Sequence, residues 1–286
     1  QGSAGCFLAA AIVLLLPLGP TGHAAALPLC IAGLAALLPA LTASTMHLGR
    51  PLYAFRALIG LGHSWLSREV AAFGLFFPLA AGATAAAALQ WQAAAWLAPL
   101  AAGAGLAGVF CSIRLYQVTR RPLWAGLGTA ARFFGTVAVL GAGLACGACA
   151  LAEAVQGIEP GAMLGGSLYA ALLVFSIVKL AFEAREARLA KESEDLAWQR
   201  THALRRGPLF AAVRRRWLWG LVSGVLLPVV CLGIGPHAAA YPWAALGAAL
   251  ATLAAVGLSE TYERYLYFTA AAPLQMPGQL AAGGGH

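Results

Sequence analysis

Apolar residues run along this chain in long unbroken windows, not in the period-two or period-3.6 stripes of a water-soluble fold. No Asp, Glu, Lys or Arg occurs in residues 1–49, 70–113, 133–152, 160–178 or 217–259. A membrane-crossing helix needs roughly 20 predominantly apolar residues, so the five windows hold two, two, one, one and two spans. They predict helices near residues 1–18, 24–46, 70–90, 94–116, 130–152, 162–182, 217–236 and 241–262. The fold class expected is therefore all-α: a polytopic membrane protein, a bundle of eight transmembrane helices. Lipid admits only helices and closed barrels, and barrel strands alternate polar and apolar residues, which these windows do not. Pro17 closes the first segment early and the chain opens on Gln1, so a few residues are expected to precede it. That segment lacks the basic leader of a signal peptide and counts as a span. Residues 1–286 read as one integral membrane domain, with a polar insert at about 183–216 and an irregular Ala-, Gly- and Pro-rich tail at about 268–286.

Composition narrows the class further. The chain is 61% hydrophobic and 10% charged, with a mean hydropathy of +0.78. Soluble domains carry about 25% charged residues, so an ordinary water-soluble enzyme is excluded. All 18 Lys and Arg fall on one side of the eight-span arrangement. Arg50, Arg56 and Arg68 lie between spans two and three; Arg114, Arg120, Arg121 and Arg132 between four and five. Ten more run from Lys179 to Arg216, and Arg264 follows span eight. The alternate connections hold only Glu153 and Glu159. By the positive-inside rule the basic loops and both termini face the cytoplasm; the expected location is the inner membrane of a bacterium. The net charge of +8 is thus read as an orientation device and not as nucleic-acid binding. A basic face also suits an acidic partner or anionic lipid.

The six cysteines all lie within predicted spans, and Cys146 and Cys149 form a C-x-x-C pair. Flanked by Gly and Ala in an apolar helix, this pair reads as small packing residues in preference to a metal or redox site. An iron–sulfur site needs about four thiolates together, which this pattern does not supply. No histidine lies mid-span, so haem is not expected either; this chain is expected to carry no metal of its own.

Ionisable groups in or beside a span are costly and mark functional candidates. The densest set is Thr45-Met46-His47-Leu48-Gly49-Arg50-Pro51, followed by His63-Ser64-Trp65-Leu66-Ser67-Arg68-Glu69. The first stretch ends span two and the second starts span three, so both sit at one depth. His47 donates or accepts a hydrogen bond and changes charge near neutral pH, and Glu69 opens an apolar helix. A histidine and a carboxylate at the hydrocarbon edge suit a quinone head group, whose two carbonyl oxygens take hydrogen bonds and whose reduction takes two protons. The same residue types also suit a pair that anchors helix ends, and the residues alone leave both readings open. Arg50, Arg56 and Arg68 read as inside-rule charges, and Trp65 as an interfacial aromatic.

The stretch Met46-His47-Leu48-Gly49-Arg50-Pro51, then Ala54-Phe55, then Ser64-Trp65-Leu66-Ser67-Arg68-Glu69 resembles the signature of the membrane anchor subunit of dimethyl sulfoxide reductase. That family is related more distantly to the polysulfide reductase membrane subunit. Gln1-Gly2-Ser3-Ala4-Gly5 is similar to the family's start. Arg114-Leu115-Tyr116 with Pro122 and Trp124 resembles its segment after span four. Glu260, Arg264 and Tyr267 look like its closing pattern in span eight. The resemblance implies eight spans and an anchor that exchanges electrons between membrane quinone, ubiquinone or menaquinone, and a peripheral iron–sulfur subunit. That subunit serves a molybdopterin catalytic subunit; the anchor itself would hold no haem, cluster or metal. Carried over, the family's quinone-site histidine and glutamate fall on His47 and Glu69. Gln1, Arg114, Tyr116 and Ser67 are further candidates for the same pocket; Tyr116 equally fits an aromatic belt.

The connection between spans one and two, Pro17 to His23, is short and uncharged, unlike the long basic one of the best-known family members. With the basic bias on the side of His47 and Glu69, the catalytic subunits are expected in the cytoplasm. Among relatives this matches quinone-reducing sulfite dehydrogenase, the leading specific expectation. The alternatives are a quinol-oxidising anchor of a dimethyl sulfoxide, thiosulfate or polysulfide reductase, and, from other classes, a transporter or a purely structural anchor. A transporter would place polar groups near the bilayer centre, whereas here they cluster at one edge. The stretch from Glu183 to Lys191 pairs opposite charges three or four apart. It reads as a solvated helical loop, or as a docking surface for the iron–sulfur subunit.

Overall fold

The computed structural model describes residues 1–16, 19–46, 51–119, 121–157, 162–234 and 240–271. Among these the secondary structure is helical, with no strand. Seven helices are long and apolar enough to cross a membrane. In chain order they are α2 (Gly19–Met46), α3 (Trp65–Ala88), α4 (Ala94–Gln117), α5 (Gly126–Gln156), α6 (Ala162–Glu192), the pair α8 (Phe210–Leu221) and α9 (Leu227–Ile234), and α10 (Pro242–Thr269). They are preceded by α1 (Gly2–Leu15), and α7 (Leu196–Arg206) links α6 to α8.

Among the described residues, seven of the eight predicted spans are helices long and apolar enough to cross a membrane, and the first is the apolar helix α1. α1 is closely enclosed. Cys6, Phe7 and Ala10 are fully buried, and α1 packs against α2, α4 and α5. Close approach to α5 rests on two glycines: a Cβ on Gly141 would lie 2.5 Å from the Cα of Gly5, so neither position has room for a side chain. The Cys6 thiol points to the Gly141 carbonyl at 3.8 Å.

α5 joins two halves, touching α1 and α2 on one side and α6 and α10 on the other. It stops at Gly157, whose φ of +62° is the left-handed conformation that ends helices and favours glycine. α8 and α9 form one crossing interrupted by a π turn, Val222–Leu226. Gly224 in that turn lies so close to Ser176 on α6 that a Cβ would collide with it. The locally widened helix and the missing side chain together let α6 and this crossing meet.

Helix ends differ from the prediction where charges begin. α6 does not stop near residue 182 but continues to Glu192, and the crossing before α9 starts at Phe210. Glu183, Glu186 and Arg216, expected in a solvated stretch, are buried. Hydropathy along one chain cannot register that a charge is matched by another helix.

Candidate functional site

The geometry around Glu69 starts from small residues on α4. Gly105, Gly108 and Ser112 are spaced three and four apart and so share one helix face. Phe76, Phe73 and Glu69 are spaced the same way on antiparallel α3. A Cβ on Gly105 would lie 3.2 Å from the Phe76 ring, and one on Gly108 would lie 2.7 Å from the Phe73 ring. The next rung is polar: the Ser112 hydroxyl donates to the Glu69 carboxylate. Small residues let membrane helices approach closely, and here that approach sets a half-buried carboxylate against a hydroxyl in an otherwise apolar interface.

The arginine next to Glu69 is turned away. Arg68 donates from Nε to the Leu61 carbonyl and from Nη2 to the Gly62 carbonyl, each at 2.9 Å. Its guanidinium carbon lies 4.4 Å from the centroid of the Trp65 ring. Ser64 caps α3 by accepting from the Ser67 amide at 3.3 Å.

One turn beyond Ser112, Tyr116 enters an aromatic cluster. Its ring centroid lies 5.3 Å from Trp124, 5.6 Å from Phe133 and 5.7 Å from Tyr267. Trp124 stacks on Tyr267 and donates to its carbonyl at 2.8 Å. The Arg264 guanidinium closes the far side, 4.1 Å from the Phe133 centroid. Its Nη2 donates to the Gln1 side-chain carbonyl at 2.8 Å and to Thr136 Oγ1 at 3.2 Å.

Arg264 also borders a buried ionic cluster at the same end of the bundle. Arg132 on α5 donates to Glu186 on α6 and Glu263 on α10, at 2.5 and 2.7 Å. Lys179 on α6 pairs with Glu260 on α10 and donates to Thr136 at 2.7 Å. Arg216 on α8 holds Glu183 at 2.5 Å, lies 3.3 Å from Glu260 and donates to Ser259. These seven charged side chains are each 10% exposed or less. A cavity of about 10 Å³ between Ser176, Lys179, Arg216 and Glu260 has room for about one water. Outside the membrane-crossing segments, Arg205 on α7 carries a buried Nε with no hydrogen-bond partner. Burial pulls its guanidinium below the usual arginine range, and the nearby Arg132 adds to that; Glu186 and Glu183 oppose it.

The residues singled out in the sequence fall into three sets. Glu69 and Tyr116 lie along one side of the α3–α4 pair, and Gln1 reaches the same aromatic cluster through Arg264. Arg114 and Ser67 face elsewhere, each two residues and so about 200° around a helix from its neighbour Tyr116 or Glu69. Arg114 sits over Trp65, 5.4 Å from the ring centroid, and donates to Gln117 at 3.0 Å. Ser67 is buried against Gly60, where a Cβ would lie 2.6 Å from its hydroxyl. His47 lies outside the described residues. The sequence reading missed Ser112, Thr136 and Glu263. A lone hydroxyl in an apolar helix looks like packing, but Gly105-x-x-Gly108-x-x-x-Ser112 was a visible sign of a close helix contact. The six cysteines are buried and unbridged.

The family model described as DMSO reductase anchor subunit (DmsC) matches residues 1–188. That stretch includes Glu69, Ser112, Tyr116, Arg132 and the α6 side of the ionic cluster; Arg216, Glu260, Glu263 and Arg264 lie beyond it. No curated protein and no solved structure matches the chain.

Proposed function

Because the chain belongs to the DMSO reductase anchor subunit family, the membrane anchors of molybdoenzyme complexes, we propose that it exchanges electrons between membrane quinone and a peripheral iron–sulfur subunit. The observation that carries this reading is the Glu69 carboxylate held by Ser112 at the basic end of the bundle. Arg68, the cation beside it in sequence, is committed to loop carbonyls. A half-buried carboxylate so placed accepts a proton from a quinol hydroxyl or returns one to a quinone oxygen. Ser112 fixes which way the carboxylate faces. Tyr116, half-buried in front of the buried Trp124, Phe133 and Tyr267, offers an aromatic surface of the kind a quinone ring packs against, and His47 is the proposed partner for the second carbonyl oxygen.

With the basic loops in the cytoplasm of a bacterial inner membrane, the iron–sulfur subunit docks on the side of Glu69, and protons exchange with the cytoplasm. The finer assignment that fits this orientation is a quinone-reducing sulfite dehydrogenase. Sulfite and water become sulfate on the catalytic subunit, and the two electrons and two protons released reduce quinone to quinol. The test is quinone-linked turnover of the purified complex, measured beside a dye-linked assay that bypasses the anchor. In Glu69→Gln we expect quinone-linked turnover to fall about a hundredfold or more, the range for losing a proton-transfer group, with dye-linked activity and subunit assembly retained. Unchanged quinone-linked turnover overturns the site. Sulfite that fails to drive quinone reduction in the intact complex overturns the substrate assignment alone.

A further inference from the structure

The outward faces of α8 and α10 enclose a groove of about 480 Å³ that no residue of α3 or α4 lines. On α8 it is bounded by Ala211, Ala212 and Arg215; on α10 by Leu258, Tyr262 and Tyr265. Both sets repeat at three- to four-residue spacing, so each is a single helix stripe. The neighbouring positions on the same helices point the other way: Arg216, Ser259, Glu260 and Glu263 are the buried ionic residues. Two consecutive arginines therefore have opposite surroundings. Arg216 is sealed among carboxylates, while Arg215 is exposed and donates to the Tyr262 hydroxyl at 3.3 Å. Among the described residues Arg215 forms no ion pair, and its guanidinium lies 5.9 Å from the Tyr262 centroid. Arg214 beside it is exposed as well.

We propose that this groove binds one anionic phospholipid, its phosphate on Arg215 and the Tyr262 hydroxyl and an acyl chain along Leu258. Three observations converge on that occupant. The groove lies at the basic ends of membrane-crossing helices, where head groups are found. It has an arginine without a protein carboxylate one turn above Leu258, at the start of the hydrocarbon, and its small apolar residues Ala211 and Ala212 continue it toward the loop end, where a head group has room. Basic pockets between spanning helices recognise acidic head groups by this combination, and a zwitterionic head group would bring, with its phosphate, a choline cation up against Arg215 and the neighbouring exposed Arg214. The site is independent of the quinone reading, since it shares no residue with the Glu69 region.

The full chain, reconstituted in nanodiscs of equal phosphatidylglycerol and phosphatidylcholine and transferred to mild detergent, should retain one phosphatidylglycerol per chain by native mass spectrometry. Arg215→Ala should lower that retention about fivefold, the size expected for one interfacial arginine, and Tyr262→Phe by less. Ala212→Trp, which fills the groove while leaving the charge, should also displace the lipid, so the proposal stays testable if the arginine variant misfolds. Equal retention of the two lipids overturns the proposal, as does full retention in both Arg215→Ala and Ala212→Trp. Displacement of the lipid by millimolar inorganic phosphate alone would show an anion site and not a lipid site.

Discussion

Arg132 gives its guanidinium to two carboxylates at once while only 2% exposed. Removing one partner from such a buried pair leaves an uncompensated charge and costs about 3–5 kcal/mol, more than the pair's net contribution when intact. Arg132→Met is therefore expected to lower the thermal midpoint of the purified protein sharply. Arg185→Met, at an exposed position on the same face of the membrane, should change it little. Equal effects would mean that the buried contacts do not hold the helices together. Glu69 differs in kind: its partner is a neutral hydroxyl, so Ser112→Ala should leave stability nearly unchanged. That variant should reduce quinone-linked turnover severalfold by freeing the carboxylate's orientation, measured against the dye-linked control.

At the level of helices, contacts are set by where side chains are missing. Gly141→Ala places a methyl group 2.5 Å from the Gly5 Cα, and backbone, unlike a flexible side chain, does not step aside. The expected cost is about 1–3 kcal/mol, read as a lower thermal midpoint, whereas Gly103→Ala, with nothing within 4 Å of its Cβ, should be neutral. The same features show what the sequence made legible. Gaps between charges located the helices, because insertion in lipid is paid residue by residue along a single segment. They misplaced the end of α6 because Lys179, Glu183 and Glu186 are neutralised by Arg132, Arg216 and Glu260 from other helices, a relation with no trace in local hydropathy. Glu69 was legible as a charge at the edge of an apolar window. Its serine partner, 43 positions further on, was not: the spacing of Gly105, Gly108 and Ser112 marks a close helix contact but not the carboxylate that meets it.

For the molecule as a whole, the ionic cluster changes the meaning of the basic composition. Arg132, Lys179, Arg216 and Arg264 face Glu183, Glu186, Glu260 and Glu263, four of each sign. The cluster is thus neutral, and the whole net charge of +8 belongs to the rest of the chain. That remainder is the charge to which the positive-inside rule applies, and the proposed orientation rests on it. The orientation is checked by placing cysteines at Gln92 and Asp195, both exposed and at opposite ends of the bundle. An impermeant thiol reagent applied to intact cells should label Gln92→Cys and spare Asp195→Cys, against a low background from buried native thiols. The reverse pattern would move the catalytic partners to the other side of the membrane.

The enclosure of α1 has a consequence for how the protein is made. Its glycine face meets α5, which begins more than a hundred residues later in the chain. If the helices enter the bilayer in chain order, α1 has no partner for that face until α5 is made, and the contact that completes the first half comes with the helix that carries Arg132.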